Sequence, residues 1–170
     1  FQAGKLVSNL TVLENIMCGF QEPLSKSLKD TMIRLPFTQS KREKEIKEKA
    51  ERIAEFVGIV DSIHRWASDL VWTERQLVQI GRALINEPQL LLLDEPASGM
   101  GSLEIEKMEE IIRKIRKKGI TIVVVSHEVR MLMNLSEIVT VLSFGQKIAE
   151  DIPENIQKDP RVLEAYLGTK

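Results

Sequence analysis

Leu90-Leu91-Leu92-Leu93-Asp94-Glu95-Pro96 decides the fold of this sequence. Four consecutive leucines predict a strand buried on both faces, the pattern of a parallel sheet. Two carboxylates follow at its C-terminal end, and Pro96 stops the strand. In open α/β sheets ligands bind beyond the carboxyl ends of the strands, so these acids are placed for chemistry. Adjacent residues on an extended chain point to opposite sides, which predicts different work for Asp94 and Glu95. A glutamate there could orient or deprotonate an attacking water. The plainer alternative is a buried strand leading into a solvated acidic turn.

Downstream of this strand, strands and helices alternate. Ser102 is placed to cap a helix over Leu103–Lys118, with Met108, Ile111, Ile112 and Ile115 on the inner face and Gly119 as the stop. Ile120–Val125 reads as a second apolar strand, ending at Ser126-His127. A helix over Glu128–Asn134 follows, then a strand over Ile138–Leu142. Phe144-Gly145-Gln146 turns that strand into Lys147–Glu150 as a hairpin. Two short helices, Pro153–Lys158 and Arg161–Leu167, close the chain. Such alternation implies a mostly parallel sheet flanked by helices with right-handed crossovers.

Upstream, the pattern changes. Thr73 and Gln76 have capping-box spacing for a helix over about Glu74–Asn86, with Leu77, Ile80, Leu84 and Ile85 inward and Gly81 available for close packing. Ser40 and Glu43 repeat that spacing before a helix to Val57, whose apolar face is Ile46, Ala50, Ile53, Ala54 and Val57. Its opposite face of Lys and Glu, including Glu43–Lys47 and Glu45–Lys49, reads as solvated. Asp61–Ala67 suggests a short helix. Leu28, Met32 and Leu35 suggest another, which Pro36 ends. Thr11 and Glu14 form a third box, with Val12, Ile16 and Phe20 on the apolar face. Residues 9–69 thus read as a helical block set into or beside the α/β part.

Composition narrows the classes. Charged residues are 29% and well mixed and apolar residues 43%, which describes a soluble globular chain. A net charge near −1 gives no electrostatic argument for nucleic acid or an anionic membrane. Cys18, the single cysteine, excludes an internal disulfide, fits a reducing compartment and reads as a small buried apolar residue. No apolar run approaches the roughly 18 to 20 residues needed to cross a bilayer. Opening at Phe1-Gln2 without Met, the sequence reads as the remainder of something longer.

An apolar run ending in Asp is the strand that holds Mg²⁺ in P-loop nucleotidases. With the other elements in order, the chain resembles the ATP-binding subunit of ABC transporters. Phe1-Gln2 resembles a Q-loop; a helical subdomain follows; Leu70-Val71-Trp72-Thr73-Glu74 stands at the signature position. Next come the Walker B strand, a D-loop position at Gly101 and a switch histidine, His127. Within that family, Asn9-Leu10-Thr11-Val12-Leu13-Glu14-Asn15, Asp94 to Gly99 and the tail from Pro153 to Gly168 are similar to the branched-chain amino acid importers.

The resemblance implies a partial P-loop nucleotidase (ABC ATPase) fold of class α/β. Its division would be a Q-loop remnant (1–8), a helical subdomain ending in the signature helix (9–86), the Walker B and switch-histidine core (87–150) and C-terminal helices (151–170). It implies ATP and Mg²⁺ as cofactors. Asp94 and Gln2 would serve the metal, Glu95 would act as general base, and His127 would contact the γ-phosphate. Leu70, Val71, Trp72, Thr73, Glu74 and Gly101 would face nucleotide. Implied partners are a membrane-embedded permease and a second ATP-binding subunit, at the cytoplasmic face of the membrane, with no nucleic acid. His64 carries no such context and reads as a surface or packing residue.

Two departures stand out. The sequence contains no G-x-x-x-x-G-K-[ST], the loop whose backbone N–H groups and Lys cradle phosphates. That absence predicts that these 170 residues alone do not hydrolyse ATP. At the signature position, Val71 replaces the hydroxyl of the family's Ser, Thr73 brings a β-carbon where Gly lets backbone approach, and Glu74 adds negative charge. Gly101 in place of the D-loop aspartate is a milder difference. Arg65 and Trp66 read as surface packing. Two rivals to an importer ATPase are a degenerate subunit that docks to a permease without ATP turnover, and an ABC-type ATPase outside transport.

Overall fold

The computed structural model describes residues 6–21 and 36–167. Gln2 and the expected helix through Leu28 and Met32 lie outside them. The chain forms two compact units, Phe1–Leu93 with Gly119–Val123, and Asp94–Lys118 with Val124–Lys170.

In the first unit, α1 (Val12–Met17), α2 (Pro36–Val57) and α3 (Trp72–Leu84) pack against one another. The Thr11–Glu14 box forms as its spacing predicts: the Glu14 N–H donates to Thr11 Oγ1 at 3.2 Å, and the Thr11 N–H donates to Glu14 Oε2 at 2.7 Å. Val12 and Ile16 are fully buried. Gly81 allows the close approach: a Cβ there would stand 3.3 Å from Ile16 Cδ1 and from Ile53 Cγ2. Buried Asn15 ties the entry loop to α1, receiving the Val7 N–H on Oδ1 and donating Nδ2 to the carbonyls of Val7, Leu10 and Thr11.

Several expectations here are corrected. Pro36 stands at the start of α2, which suits a residue with fixed φ and no N–H at the first helical position; the helix expected before it lies outside the described residues. Ser40 therefore lies inside α2 rather than at its N-cap position. Asp61–Ala67 is not one helix: its ends fall in two 3₁₀ turns, Val60–Ser62 and Ala67–Asp69, and residues 63–66 between them are non-helical. Its carbonyls serve α1 instead: the Val12 and Leu13 N–H groups donate to Arg65 O and Ile63 O, each at 3.0 Å. Those are orphan amides of a helix start, and a helix over Asp61–Ala67 would turn Ile63 O to the Ala67 N–H, which here donates to Leu10 O instead. Cys18 is exposed, because it sits at the C-cap of α1 beyond the buried stripe.

β1 (Leu90–Asp94) pairs with β2 (Thr121–Val125), with α4 (Ser102–Lys117) between them in sequence. The Thr121 N–H donates to Gln89 O at 2.9 Å and the Glu95 N–H to Val125 O at 2.8 Å, which together fit one parallel register. Burial on both faces of β1 is not what the structure shows. Leu91 and Leu93 are 5% and 9% exposed, whereas Leu90 and Leu92 are 51% and 58% exposed. On β2, Val123 and Val125 are exposed too. The described residues cover one face of this strand pair only.

In the second unit α4 packs against α5 (Val129–Leu135), burying Met108, Ile111, Ile112 and Ile115 as the periodicity predicts. The cap of α4 is Gly101, not Ser102; its N–H donates to Glu104 Oε2 at 2.9 Å. The basic end of α4 holds the carbonyl end of α5: Arg113 Nη2 donates to Asn134 O, and Arg116 Nη1 to Leu135 O, each at 3.1 Å. β3 (Val139–Ser143) and β4 (Gln146–Asp151) form the expected antiparallel hairpin. Phe144 (φ 46°) and Gly145 (φ 77°) make its two-residue turn. The hairpin packs with α6 (Pro153–Ile156) and α7 (Pro160–Leu167) around Val139, Ala149 and Ile156.

Candidate functional site

β1 ends at Asp94, and the next residue departs from the strand. Glu95 has φ 49°, a left-handed conformation that non-glycine residues rarely adopt. Its N–H donation to Val125 O fixes it beside the end of β2. The expectation of an extended Glu95 is thus replaced by a turned one, and the carboxylate folds back onto Ser126 and His127.

That carboxylate meets three groups of one turn. Oε1 accepts from the His127 N–H at 3.1 Å. Oε2 lies 2.8 Å from His127 Nδ1 and accepts from Ser126 Oγ at 3.2 Å. Ser126 Oγ in turn accepts from the Glu128 N–H at 3.1 Å. The hydrogen bond to Glu95 raises the His127 pKa above its ordinary value; the Glu95 charge adds to this, desolvation opposes it, and Glu128 adds a further raise. With a carboxylate at Nδ1, that nitrogen carries the proton, and Nε2 lies 3.8 Å from Glu128 Oε1, beyond hydrogen-bond distance. The arrangement can hold a carboxylate ionised and aimed, and present an imidazole beside it.

Asp94 is exposed, and among the described residues its carboxylate has no hydrogen-bond or ion-pair partner. A free carboxylate at a strand end suits a hard cation. Among the described residues no group of three or more His, Cys, Asp or Glu could hold a metal. A single carboxylate fits Mg²⁺, which keeps waters and takes phosphate oxygens, better than ions that need a full protein cage.

Leu70 to Glu74 lie in the first unit. Leu70 is buried, and Val71 is the N-cap of α3. The expected Thr73–Gln76 box is not formed. Glu74 reaches back instead, its Oε2 accepting from the Val71 N–H at 3.1 Å, so the helix starts earlier and Thr73 lies inside it. Glu74 Oε1 also accepts from Ser62 Oγ at 2.8 Å and Arg65 Nη1 at 2.9 Å. Arg65 Nη2 donates to Asp69 O at 2.6 Å. Arg75 donates to Leu70 O and Ser68 O, each at 3.0 Å. Two arginines thus hold the carbonyls of the loop while Glu74 holds an amide. Arg65 is no mere packing residue. Sequence reasoning missed the parts played by Ser62, Arg75 and Ser126; only the adjacency of Ser126 to His127 offered a signal. His64 and Trp66 are exposed.

Comparison with known proteins gives a consistent answer. Residues 1–98 match the family described as "ABC transporter", and residues 146–170 that described as "Branched-chain amino acid ATP-binding cassette transporter". The chain is 29% identical over 169 residues to the high-affinity branched-chain amino acid transport ATP-binding protein LivG of Escherichia coli K12, covering 99% of this chain and 66% of that protein. It is 31% identical over 174 residues to a probable LivG of Methanocaldococcus jannaschii, with shares of 99% and 66%. The chain thus spans 66% of the length of the curated relatives it matches. Among solved structures, it resembles the ADP conformation of an ATP-binding cassette of an ABC transporter, with a TM-score of 0.76 and 30% identity over 96% of this chain and 65% of that one.

Proposed function

This chain belongs to the ABC transporter family, among the ATP-binding subunits, and from that membership we propose that the protein hydrolyses ATP to power a membrane importer of branched-chain amino acids. The observation that carries the catalytic part is the Glu95 carboxylate engaged by His127 just beyond β2, next to Asp94, whose carboxylate has no partner among the described residues. The cargo follows from the names of the relatives and from the match over residues 146–170.

Phosphoryl transfer demands positioning and charge neutralisation rather than covalent chemistry from the protein. Mg²⁺ and ATP, when bound, supply the charge clamp and the transferable phosphoryl group. Asp94 would take a place on the metal, directly or through water. Glu95 would orient the attacking water and accept its proton. His127 would offer Nε2 to the γ-phosphate, and its raised pKa favours the protonated, donating form. Gln2 is assigned to metal and water by the same family logic.

Residues 9–86 are assigned to permease docking, 87–150 to the catalytic core and 151–170 to a C-terminal appendage. Leu70 to Glu74, with Gly101, would face the nucleotide held by a second ATP-binding subunit. The location proposed is the cytoplasmic face of the membrane; no helix among the described residues is long and apolar enough to cross it. In the assembled transporter, Glu95→Gln removes the proton acceptor. ATPase activity should fall roughly 10²- to 10⁴-fold while nucleotide binding persists. Wild-type turnover in that variant would sink the assignment. The 170 residues on their own, which carry no phosphate-cradling loop, should show no Mg²⁺-dependent turnover.

One observation favours a second reading, a subunit that docks without ATP turnover. The amide of Val71, at the helix start that would face phosphate, is already taken by Glu74. Permease binding that ignores nucleotide would support that reading.

A further inference from the structure

We infer that Ser126 is a positioning residue for Glu95: its hydroxyl fixes the carboxylate so that Oε1 is the oxygen left open to the reacting water. The consequence for catalysis rests on the ATPase reading above; the geometric content does not.

A glutamate has three rotatable side-chain bonds, and His127 holds its carboxylate with the backbone N–H on Oε1 and the exposed ring on Oε2, which leaves an acceptor site open on each oxygen. Ser126 closes the one on Oε2. It is half-buried, and its oxygen does two things at once. It accepts the Glu128 N–H at 3.1 Å, two residues ahead, which fixes the turn that carries His127. With that lone pair occupied, the hydroxyl hydrogen is directed at Glu95 Oε2, 3.2 Å away.

The acceptor sites then sort themselves. Each carboxylate oxygen accepts about two hydrogen bonds. Oε2 receives Ser126 Oγ and His127 Nδ1 and is filled. Oε1 receives only the His127 N–H, so among the described residues one acceptor site remains, and it is on Oε1. Without the Ser126 hydroxyl, Oε2 regains an open site, and each oxygen then offers one.

The test uses two variants and two readouts. The chain has two histidines, so the imidazole nitrogens of His127 can be followed by ¹⁵N NMR at a fixed alkaline pH. Ser126→Ala should shift the His127 Nδ1 signal towards that of a free imidazole, and Ser126→Thr, which keeps the hydroxyl, should not. In the assembled transporter, Ser126→Ala should lower kcat about tenfold with KM for ATP unchanged, the scale of one hydrogen bond to a charged group, and Ser126→Thr should recover it. An unmoved Nδ1 signal in Ser126→Ala, an unchanged kcat, or a Thr variant that behaves like Ala overturns the inference. If the wild-type assembly turns over no ATP, the ATPase reading falls, and the NMR result alone decides the role of Ser126.

Discussion

Glu95 and His127 sit 32 residues apart in sequence and meet because they lie one and two residues beyond the ends of two neighbouring strands. Their pairing has a pH signature. The carboxylate raises the His127 pKa above its ordinary 6.5, so the folded state binds that proton more tightly than the unfolded chain. The stabilisation is fully present below the unfolded pKa and is lost as pH rises through the raised folded value. Titrating the two histidines by NMR should place His127 above its ordinary value, and Glu95→Gln should return it there. A His127 that titrates normally in the wild type contradicts the contact. At this scale Asp94, Glu95 and His127 were legible because a strand end marks its own position in the sequence. Ser62, Arg65 and Ser126 were not, since a hydroxyl or guanidinium declares no partner until the backbone brings one near. The start of α3 was misread for a local reason: Thr73 offered a cap two residues after Val71, and the reaching carboxylate of Glu74 set the start at Val71 instead.

Helices were legible where apolar spacing and caps agree, as in α1 and α4, and less so where a segment serves its neighbour. Residues 61–67 gave up a helix because their carbonyls receive the amides of α1. Four leucines gave the strand but not its surroundings: residue type alone does not say whether a neighbour covers the second face. Close approaches between elements yield the sharpest prediction. A Cβ on Gly81 would meet only side-chain ends at 3.3 Å, which can move by a few tenths of an ångström. One on Gly19 would overlap the backbone carbonyl oxygen of Arg82, while Asn86 Nδ2 holds the Gly19 carbonyl at 2.6 Å. Gly19→Ala should therefore cost about 2–3 kcal/mol and Gly81→Ala under about 1 kcal/mol in denaturant unfolding. Equal costs would show that the loop after α1 yields as easily as a side chain.

At the scale of the whole molecule, the α/β class followed from alternation after residue 87 and the helical block from its absence before residue 69. In the sequence the strand-end acids and His127 resemble the family's motifs and Leu70 to Glu74 departs from them; in the structure Glu74 engages the start of α3 and the turn before it. In an assembly where Leu70 to Glu74 face nucleotide, the donors that would meet a phosphate are engaged within the chain: Val71 N–H, Ser62 Oγ and Arg65 Nη1 all point at Glu74. Val71→Ser, Thr73→Gly and Glu74→Gln together would remove the internal anion, add a hydroxyl and clear a β-carbon. The variant should stay folded. The Arg65–Glu74 pair is partly exposed, 45% and 23% at the two side chains, and such pairs contribute about 1 kcal/mol or less. Glycine at Thr73, in the first turn of α3, costs less than the roughly 1 kcal/mol of a helix interior. One regained hydrogen bond to a charged phosphate, at about 1.5 kcal/mol, corresponds to roughly a tenfold gain. ATP hydrolysis by the assembled transporter should rise by about that factor, with thermal unfolding little changed. If the rate stays flat while the fold survives, the signature substitutions do not limit turnover, and Glu74 is simply the cap of α3.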